Sequence, residues 1–219
     1  MAELMACIFD MDGVIVNSTD FHFNAWKKLA DELRIDIDND FKIHLKGISR
    51  VDSLEKILAK GNLVLDNDTK LSLMRNKNEE YLESITGLKQ EDLLPGVLDF
   101  LKECKANGVK IALGSSSKNA DIILEKTDIA GYFDEVIDGN KVKFSKPDPE
   151  VFLKGAAGMN IAPNEIVVFE DALSGVQAAK SGGFFCVALG NPEELKQADY
   201  VIDGLHQINL DKLKSIFNH

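Results

Sequence analysis

The chain has 219 residues, 45% of them hydrophobic and 28% charged, with a formal net charge of −11. That length and apolar content support a packed core or two modest ones, while the negative charge argues against a nucleic-acid partner, which needs a basic surface. No apolar run reaches the length of a membrane span, and an anionic ligand would need a metal and a few placed Lys or Arg residues to offset the overall charge.

The first ten residues, MAELMACIFD, have neither a basic leader region nor a long apolar stretch, so no signal peptide is expected. Cys7, Cys104 and Cys186 show no paired spacing and read as reduced core fillers of a cytoplasmic protein. Leu4 to Phe9 is an apolar run ending in Asp10-Met11-Asp12-Gly13, a buried strand followed by a tight turn. From about Asp20 to Ile85 the pattern turns helical, with no convincing strand. Trp26, Leu29, Ala30 and Leu33 fall at helical spacing, and so do Val51, Leu54, Ile57 and Leu58. Gly61 reads as a helix stop, and Asp68 as the cap of a long helix ending near Ile85.

Past Pro95-Gly96, helices and strands alternate. Val97, Phe100, Leu101 and Cys104 mark a helix that stops at Asn107-Gly108. Val109 to Leu113 is a strand ending in Gly114-Ser115-Ser116-Ser117, and Glu135 to Ile137 is another. Asp148-Pro149 suits the cap and first turn of a helix. Ile166 to Phe169 is a strand ending in Glu170-Asp171; a helix then runs to Gly182, and Phe185 to Leu189 is a further strand. The alternation predicts an α/β protein with a Rossmann-like parallel-sheet core and helices on both faces. The helical stretch is an insertion in it. Residues 1–15 and 93–219 are expected to form the discontinuous core, and 16–92 an all-helical cap with its linkers.

Three polar clusters follow directly on apolar strands: Asp10/Asp12, Ser115 to Ser117, and Glu170/Asp171. Open parallel sheets bind ligands outside the carboxyl ends of their strands, so one crevice could receive all three. Asp10 and Asp12 alone fit a solvated turn as well as a cation site. Joined by Glu170 and Asp171 they supply the hard oxygen ligands that Mg²⁺ prefers. Ser115 suits phosphate binding, and equally the cap of the next helix; a helix N-terminus favours anions, so the two are compatible. Lys146 lies in a proline-stiffened turn, as a phosphate ligand or as a surface charge.

Asp10-Met11-Asp12-Gly13-Val14, Gly114 to Asn119, Ser145 to Pro149 and Phe169 to Ala179 together resemble the motifs of the haloacid dehalogenase superfamily of phosphotransferases. The four occur in order and span nearly the whole core. The resemblance implies that Asp10 is the nucleophile and Asp12 the general acid/base. It implies Mg²⁺ held by Asp10, the backbone carbonyl of Asp12 and Asp171, with Glu170 assisting. Ser115, Ser117, Lys118, Asn119 and Lys146 would surround the transferring phosphoryl group. In the cap, Phe21 to Ala30, Leu45 to Leu58 and Arg75 to Tyr81 look like the superfamily's hexose-phosphate mutases, which interconvert β-glucose 1-phosphate and β-glucose 6-phosphate through an aspartyl-phosphate. Arg50 would then grip the distal phosphate, Lys77 and Asn78 would lie near the sugar, and His22 would orient the acid/base machinery. Trp26, Gly47 and Ser53 would complete the substrate-binding set. Asn17 stands where relatives usually carry an acid. The partner implied is a sugar phosphate, with no nucleic acid or membrane, and the expected state is a monomer. A sugar-phosphate phosphatase on the same core is the alternative. A non-catalytic phosphosugar-binding protein is disfavoured by the complete set Asp10, Asp12, Lys146 and Asp171.

Overall fold

A computed structural model describes residues 3–218. Residues 1–2 and 219, assigned to the core on sequence grounds, lie outside the described residues. Six strands, β1 (Ala6–Phe9), β2 (Lys110–Gly114), β3 (Glu135–Ile137), β4 (Ile166–Glu170), β5 (Phe185–Leu189) and β6 (Tyr200–Ile202), form one sheet. Its order is β3-β2-β1-β4-β5-β6, and every pairing is parallel. β6 was not anticipated: three residues at a sheet edge leave too short a pattern to read.

β1 is flanked on both sides, and all four of its residues are buried. Cys7 and Phe9 point into one face with Ile111, Leu113, Val167 and Phe169. Ala6 and Ile8 point into the other with Ala112, Ile166 and Val168. Burial on both faces is why these strands read as continuous apolar runs rather than alternating ones. Phe9 pairs in register with Leu113 and with Phe169. The residues that follow each of them therefore leave the sheet at one level, which brings the three polar clusters together.

Between β1 and β2 the chain forms α1 (Thr19–Glu32), α2 (Asn39–Lys42), α3 (Arg50–Lys60) and α4 (Asn67–Ser84). Trp26, Leu29 and Ala30 of α1 pack with Leu54, Ile57 and Leu58 of α3 in a cluster separate from the two sheet faces. Val51 departs from its expected burial and is 51% exposed. The first turn of α3 lines a groove between cap and sheet, and Val51 is one of the residues that face it. The cap of α4 is Asp66, not Asp68: Asp66 keeps extended backbone and accepts from the Thr69 N–H at 2.8 Å. Asp68 falls inside the first turn, where its charge still suits the helix dipole.

The two crossings between cap and sheet run side by side. Val16 bridges both Asp12 and Leu93, and the Leu94 N–H donates to the Ile15 carbonyl at 2.9 Å. Five further helices cover the sheet. α5 (Val97–Ala106), α6 (Ala120–Lys126) and α9 (Leu210–Phe217) lie on one face, α7 (Glu150–Met159) and α8 (Leu173–Ser181) on the other. α7 starts one residue beyond Pro149, and Asp148 accepts from the Glu150 N–H at 2.9 Å. The three cysteines are free and buried, and no helix among the described residues is long and apolar enough to cross a membrane.

Candidate active site

The turn after β1 delivers Asp10, 3% exposed, against Lys146. The Lys146 ammonium donates to Asp10 Oδ1 and to Glu170 Oε1, both at 2.6 Å. Glu170 Oε2 accepts from the N–H groups of Asp171 and Ala172 at 2.7 and 2.8 Å. Burial alone would pull the Lys146 pKa down, but the two carboxylates reverse it and keep the lysine charged. Burial pushes Asp10 well above the usual carboxylate range; Lys146 opposes the rise, while Glu170, Asp12 and Asp171 add to it. Asp171 is raised to about 7 by burial, against the pull of Lys46.

Asp12, two residues on, lives in a different field. Its Oδ1 accepts from the Ser18 hydroxyl and faces His22 Nε2 at 3.6 Å. Sequence reasoning expects the surrounding acids to raise its pKa. Burial does push it up, but His22, Ser18 and Lys77 outweigh burial and hold it below the ordinary value. His22 Nδ1 meets Lys77 Nζ at 2.8 Å, and its ring stacks on Tyr81 at 3.9 Å. A charged Lys77 only donates; Nδ1 then accepts, and the proton of a neutral His22 sits on Nε2, toward Asp12. Burial and the Lys77 charge both lower the His22 pKa, with Asp12 opposing. Lys77 is itself buried, over the faces of Trp26 and Tyr81, and falls to about 7 through burial and then the Arg50 charge.

A cavity of about 70 Å³ joins these groups. From the sheet side Asp10, Asp12, Ser117 and Lys118 line it. From the cap side His22, Trp26, Gly47, Arg50, Ser53 and Lys77 do so. Ser115, Lys146 and Asn78 line the groove that adjoins it, together with Arg50 and Lys118. Arg50 Nη2 donates to Asn78 Oδ1 at 2.6 Å, and Asn119 Nδ2 donates to the same oxygen at 2.9 Å. Ser115 Oγ accepts from the Ser117 N–H, and Ser117 Oγ from the Asn119 N–H, so the serine stretch forms a staircase of turns leading into α6. The residues expected to act together are thus neighbours.

Sequence reasoning missed Lys46, whose ammonium donates to Asp171 Oδ2 and to the Asp171 carbonyl, both at 2.7 Å. It also missed Ser18 and Tyr81. Only the place of Lys46 immediately before Gly47 could have flagged it, and a lysine before a glycine is a weak signal.

Among the described residues Asp10, Glu170 and Asp171 bring one carboxylate oxygen each within 4.8 Å of one another. Asp171 Oδ1 is buried and has no hydrogen-bond partner. Three crowded acids, two held well above their ordinary pKa, and one orphaned oxygen fit a hard divalent cation. The Glu170 oxygens are already committed to Lys146 and two amides, which suits it to orienting the others. The Asp12 carboxylate is not part of this group. Only its backbone carbonyl is left for the ligand role expected of it.

Residues 4–183 match the sequence model described as a haloacid dehalogenase-like hydrolase. The chain is 40% identical over 212 residues to a β-phosphoglucomutase of Bacillus subtilis, covering 96% of this chain and 94% of that one. It is 32% identical over 180 residues to a phosphorylated carbohydrates phosphatase of Thermotoga maritima, covering 81% of each. Its fold is similar to the crystal structure of a β-phosphoglucomutase from Clostridium difficile, with a TM-score of 0.95 and 40% identity over 98% of this chain and 97% of that one.

Proposed function

The chain belongs to the haloacid dehalogenase-like hydrolase family, and from that premise we propose that it interconverts β-D-glucose 1-phosphate and β-D-glucose 6-phosphate, through an aspartyl-phosphate on Asp10 and a glucose 1,6-bisphosphate intermediate. The similarity to two β-phosphoglucomutases over nearly the whole chain supports this reading. The observation that carries it is one cavity with the buried Asp10 carboxylate on its sheet side and the basic side chains of Arg50 and Lys77 on its cap side. A hexose carrying a phosphate at each end needs both.

In this reading the Asp10 carboxylate attacks phosphorus, and the bond from phosphorus to the sugar oxygen breaks. Asp12 handles the proton. Its lowered pKa leaves it ionised at rest: it takes the proton of a sugar hydroxyl as that oxygen attacks the phosphorus carried by Asp10, and gives the same proton to the sugar oxygen that departs when Asp10 next attacks. Lys146, with Ser115, Ser117, Lys118 and Asn119, surrounds the phosphoryl group in transit. Arg50 takes the distal phosphate as a planar fork, with Lys77 and Asn78 beside the sugar. His22, Trp26, Gly47 and Ser53 complete the walls. Mg²⁺ would be held by Asp10, Asp171 and the Asp12 carbonyl, and when bound would supply charge neutralisation for carboxylate and phosphate together. We take the working form to be a cytoplasmic monomer that acts on a soluble sugar phosphate without a nucleic-acid or membrane partner.

The phosphatase alternative draws on the Thermotoga relative and differs only in the acceptor, water in place of a sugar hydroxyl. Arg50 separates the two. Arg50→Ala should reduce mutase turnover, assayed with a bisphosphate primer and β-glucose 1-phosphate, by at least roughly 100-fold, as loss of a desolvated charge pair does. It should leave Asp10 labelling by acetyl phosphate, which has no distal phosphate, near wild type. Arg50→Lys should recover only part of the rate. Equal losses in both assays would assign Arg50 to the fold, and no loss in either would favour the phosphatase.

A further inference from the structure

Among the described residues, several polar contacts tie cap to sheet. Lys46 on Asp171, Asn119 on Asn78, and the Ser116 hydroxyl on the Gly47 carbonyl at 3.2 Å belong to the site already described. One other does not. The Ser145 hydroxyl donates to Asp52 Oδ2 at 2.6 Å, across 93 residues of chain. Nothing in the phosphoryl-transfer scheme uses either residue.

Their neighbours give the contact its meaning. Ser145 immediately precedes Lys146, the cation between Asp10 and Glu170. Asp52 lies in the first turn of α3, two residues after Arg50. Its position is over-determined: its N–H donates to the Ser49 hydroxyl, which donates in turn to Asp52 Oδ2 at 2.5 Å. A carboxylate held this firmly by its own helix is a fixed point, and a serine hydroxyl that reaches it is fixed too. One turn of α3 thus carries Arg50 on the cavity and, beside it, the anchor of the lysine loop. The contact exists only while the cap lies against the sheet.

We propose that Asp52 is a positioning residue: through Ser145 it couples closure of the cap to the placement of Lys146, so that the nucleophile is fully partnered only when the cap is down. The proposal rests on the reading of Lys146 as the cation of the transferring phosphoryl group. It explains how a site could be weak toward water while open and strong toward a sugar phosphate once closed, without any added residue in the cavity.

The test uses the full chain and four variants: Ser145→Ala, Asp52→Asn, the double variant, and Ser145→Thr, which keeps the hydroxyl. Ser145→Ala is the clean probe, because Asp52→Asn also disturbs the cap of α3. Each single variant should slow both mutase turnover and Asp10 labelling by acetyl phosphate, by about tenfold, the effect of losing one hydrogen bond to a charged group. This differs from Arg50→Ala, which spares the labelling. The double variant should be no slower than the slower single one, and Ser145→Thr should recover most of the rate. In protein without substrate, hydrogen exchange should quicken at residues 49–53 in Ser145→Ala and at 143–146 in Asp52→Asn, each effect crossing from one side to the other. Multiplying losses in the double variant, or exchange that quickens only beside the substitution, would overturn the coupling. The exchange measurement needs no substrate. If the wild type proved to lack mutase activity while exchange still crossed from side to side, the functional reading would fall and the coupling would stand.

Discussion

Asp10 and Asp12 lie two residues apart on one turn, yet their surroundings push them in opposite directions. Asp10 sits among acids with Lys146 as its cation, and burial raises it. Asp12 faces His22 and Ser18 and is lowered. That division suits a nucleophile that works beside a cation and a base that is ready at rest. Asp10→Asn should abolish the phosphoenzyme, whereas Asp12→Asn should leave it formable but slow transfer by about 10² to 10⁴. Mass spectrometry after acetyl phosphate distinguishes them; a label that persists on Asp10→Asn protein would place the nucleophile elsewhere. Asp171 yields a second expectation, with a definite sign. Its folded pKa of about 7 lies above the unfolded value of 3.8. Without metal, the stability it contributes is fully present below pH 3.8 and is lost as pH rises through 7. A divalent cation needs the ionised carboxylate, so the stabilisation it confers should grow over the same window. Melting temperatures with Mg²⁺ and with EDTA should diverge more at pH 8 than at pH 5.5; a constant gap would remove Asp171 from the metal site. At this scale residue types were legible in the sequence and their fields were not. The acids after the strands could be named in advance, but the sign at Asp12 depends on His22, Ser18 and Lys77, which reach it only through the packing of α1 and α4.

Elements read more easily than single residues where burial dictates their composition. β1, β2, β4 and β5 are apolar because both their faces are covered, and a run of that kind declares itself without neighbours. β6 is short and lies at the edge, and the short α2 with the 3₁₀ turn after it has no buried residue to set a period. The capping of α4 shows the other limit: two aspartates two residues apart are equivalent in composition, and only backbone dihedrals select Asp66. The turn after β1 is the element on which the acidic cluster depends. Gly13 has φ +89°, and a Cβ there would lie 1.7 Å from Asp171 Oδ2. Asp171 is also held by Lys46, so its carboxylate cannot simply swing aside. Gly13→Ala should therefore strain the turn by about 1–3 kcal/mol and push Asp171 off its position. Titration calorimetry should find Mg²⁺ binding weakened by at least roughly tenfold, more than the change in stability alone would produce. Unchanged metal affinity would mean that Asp171 is not a ligand.

For the whole molecule, the insertion of helices after a first strand was visible in the switch from apolar runs to helical spacing near Asp20 and back near Pro95. How the inserted part rests on the sheet was not, because the contacts joining them, Ser145 to Asp52 and Lys46 to Asp171, pair residues distant in sequence and ordinary in type. The arrangement they hold leaves little room directly between Asp10 and the cap. The space between Asp10 and the cap residues Arg50 and Lys77 is about 70 Å³, far below the roughly 300–1,000 Å³ of sites that house small ligands, while the adjoining groove is about 1110 Å³. If the proposed sugar phosphate is to fill that space, the cap must first lift, and the paired crossings at Val16 and Leu93 are where the two parts join. The observed rate of association is then the intrinsic one multiplied by the open fraction. Any substitution that loosens the cap would then speed entry while leaving a phosphoryl group on Asp10 more open to water, so fast entry and faithful transfer are opposed demands on one equilibrium, and selection on either is felt as a change in how long the protein stays open.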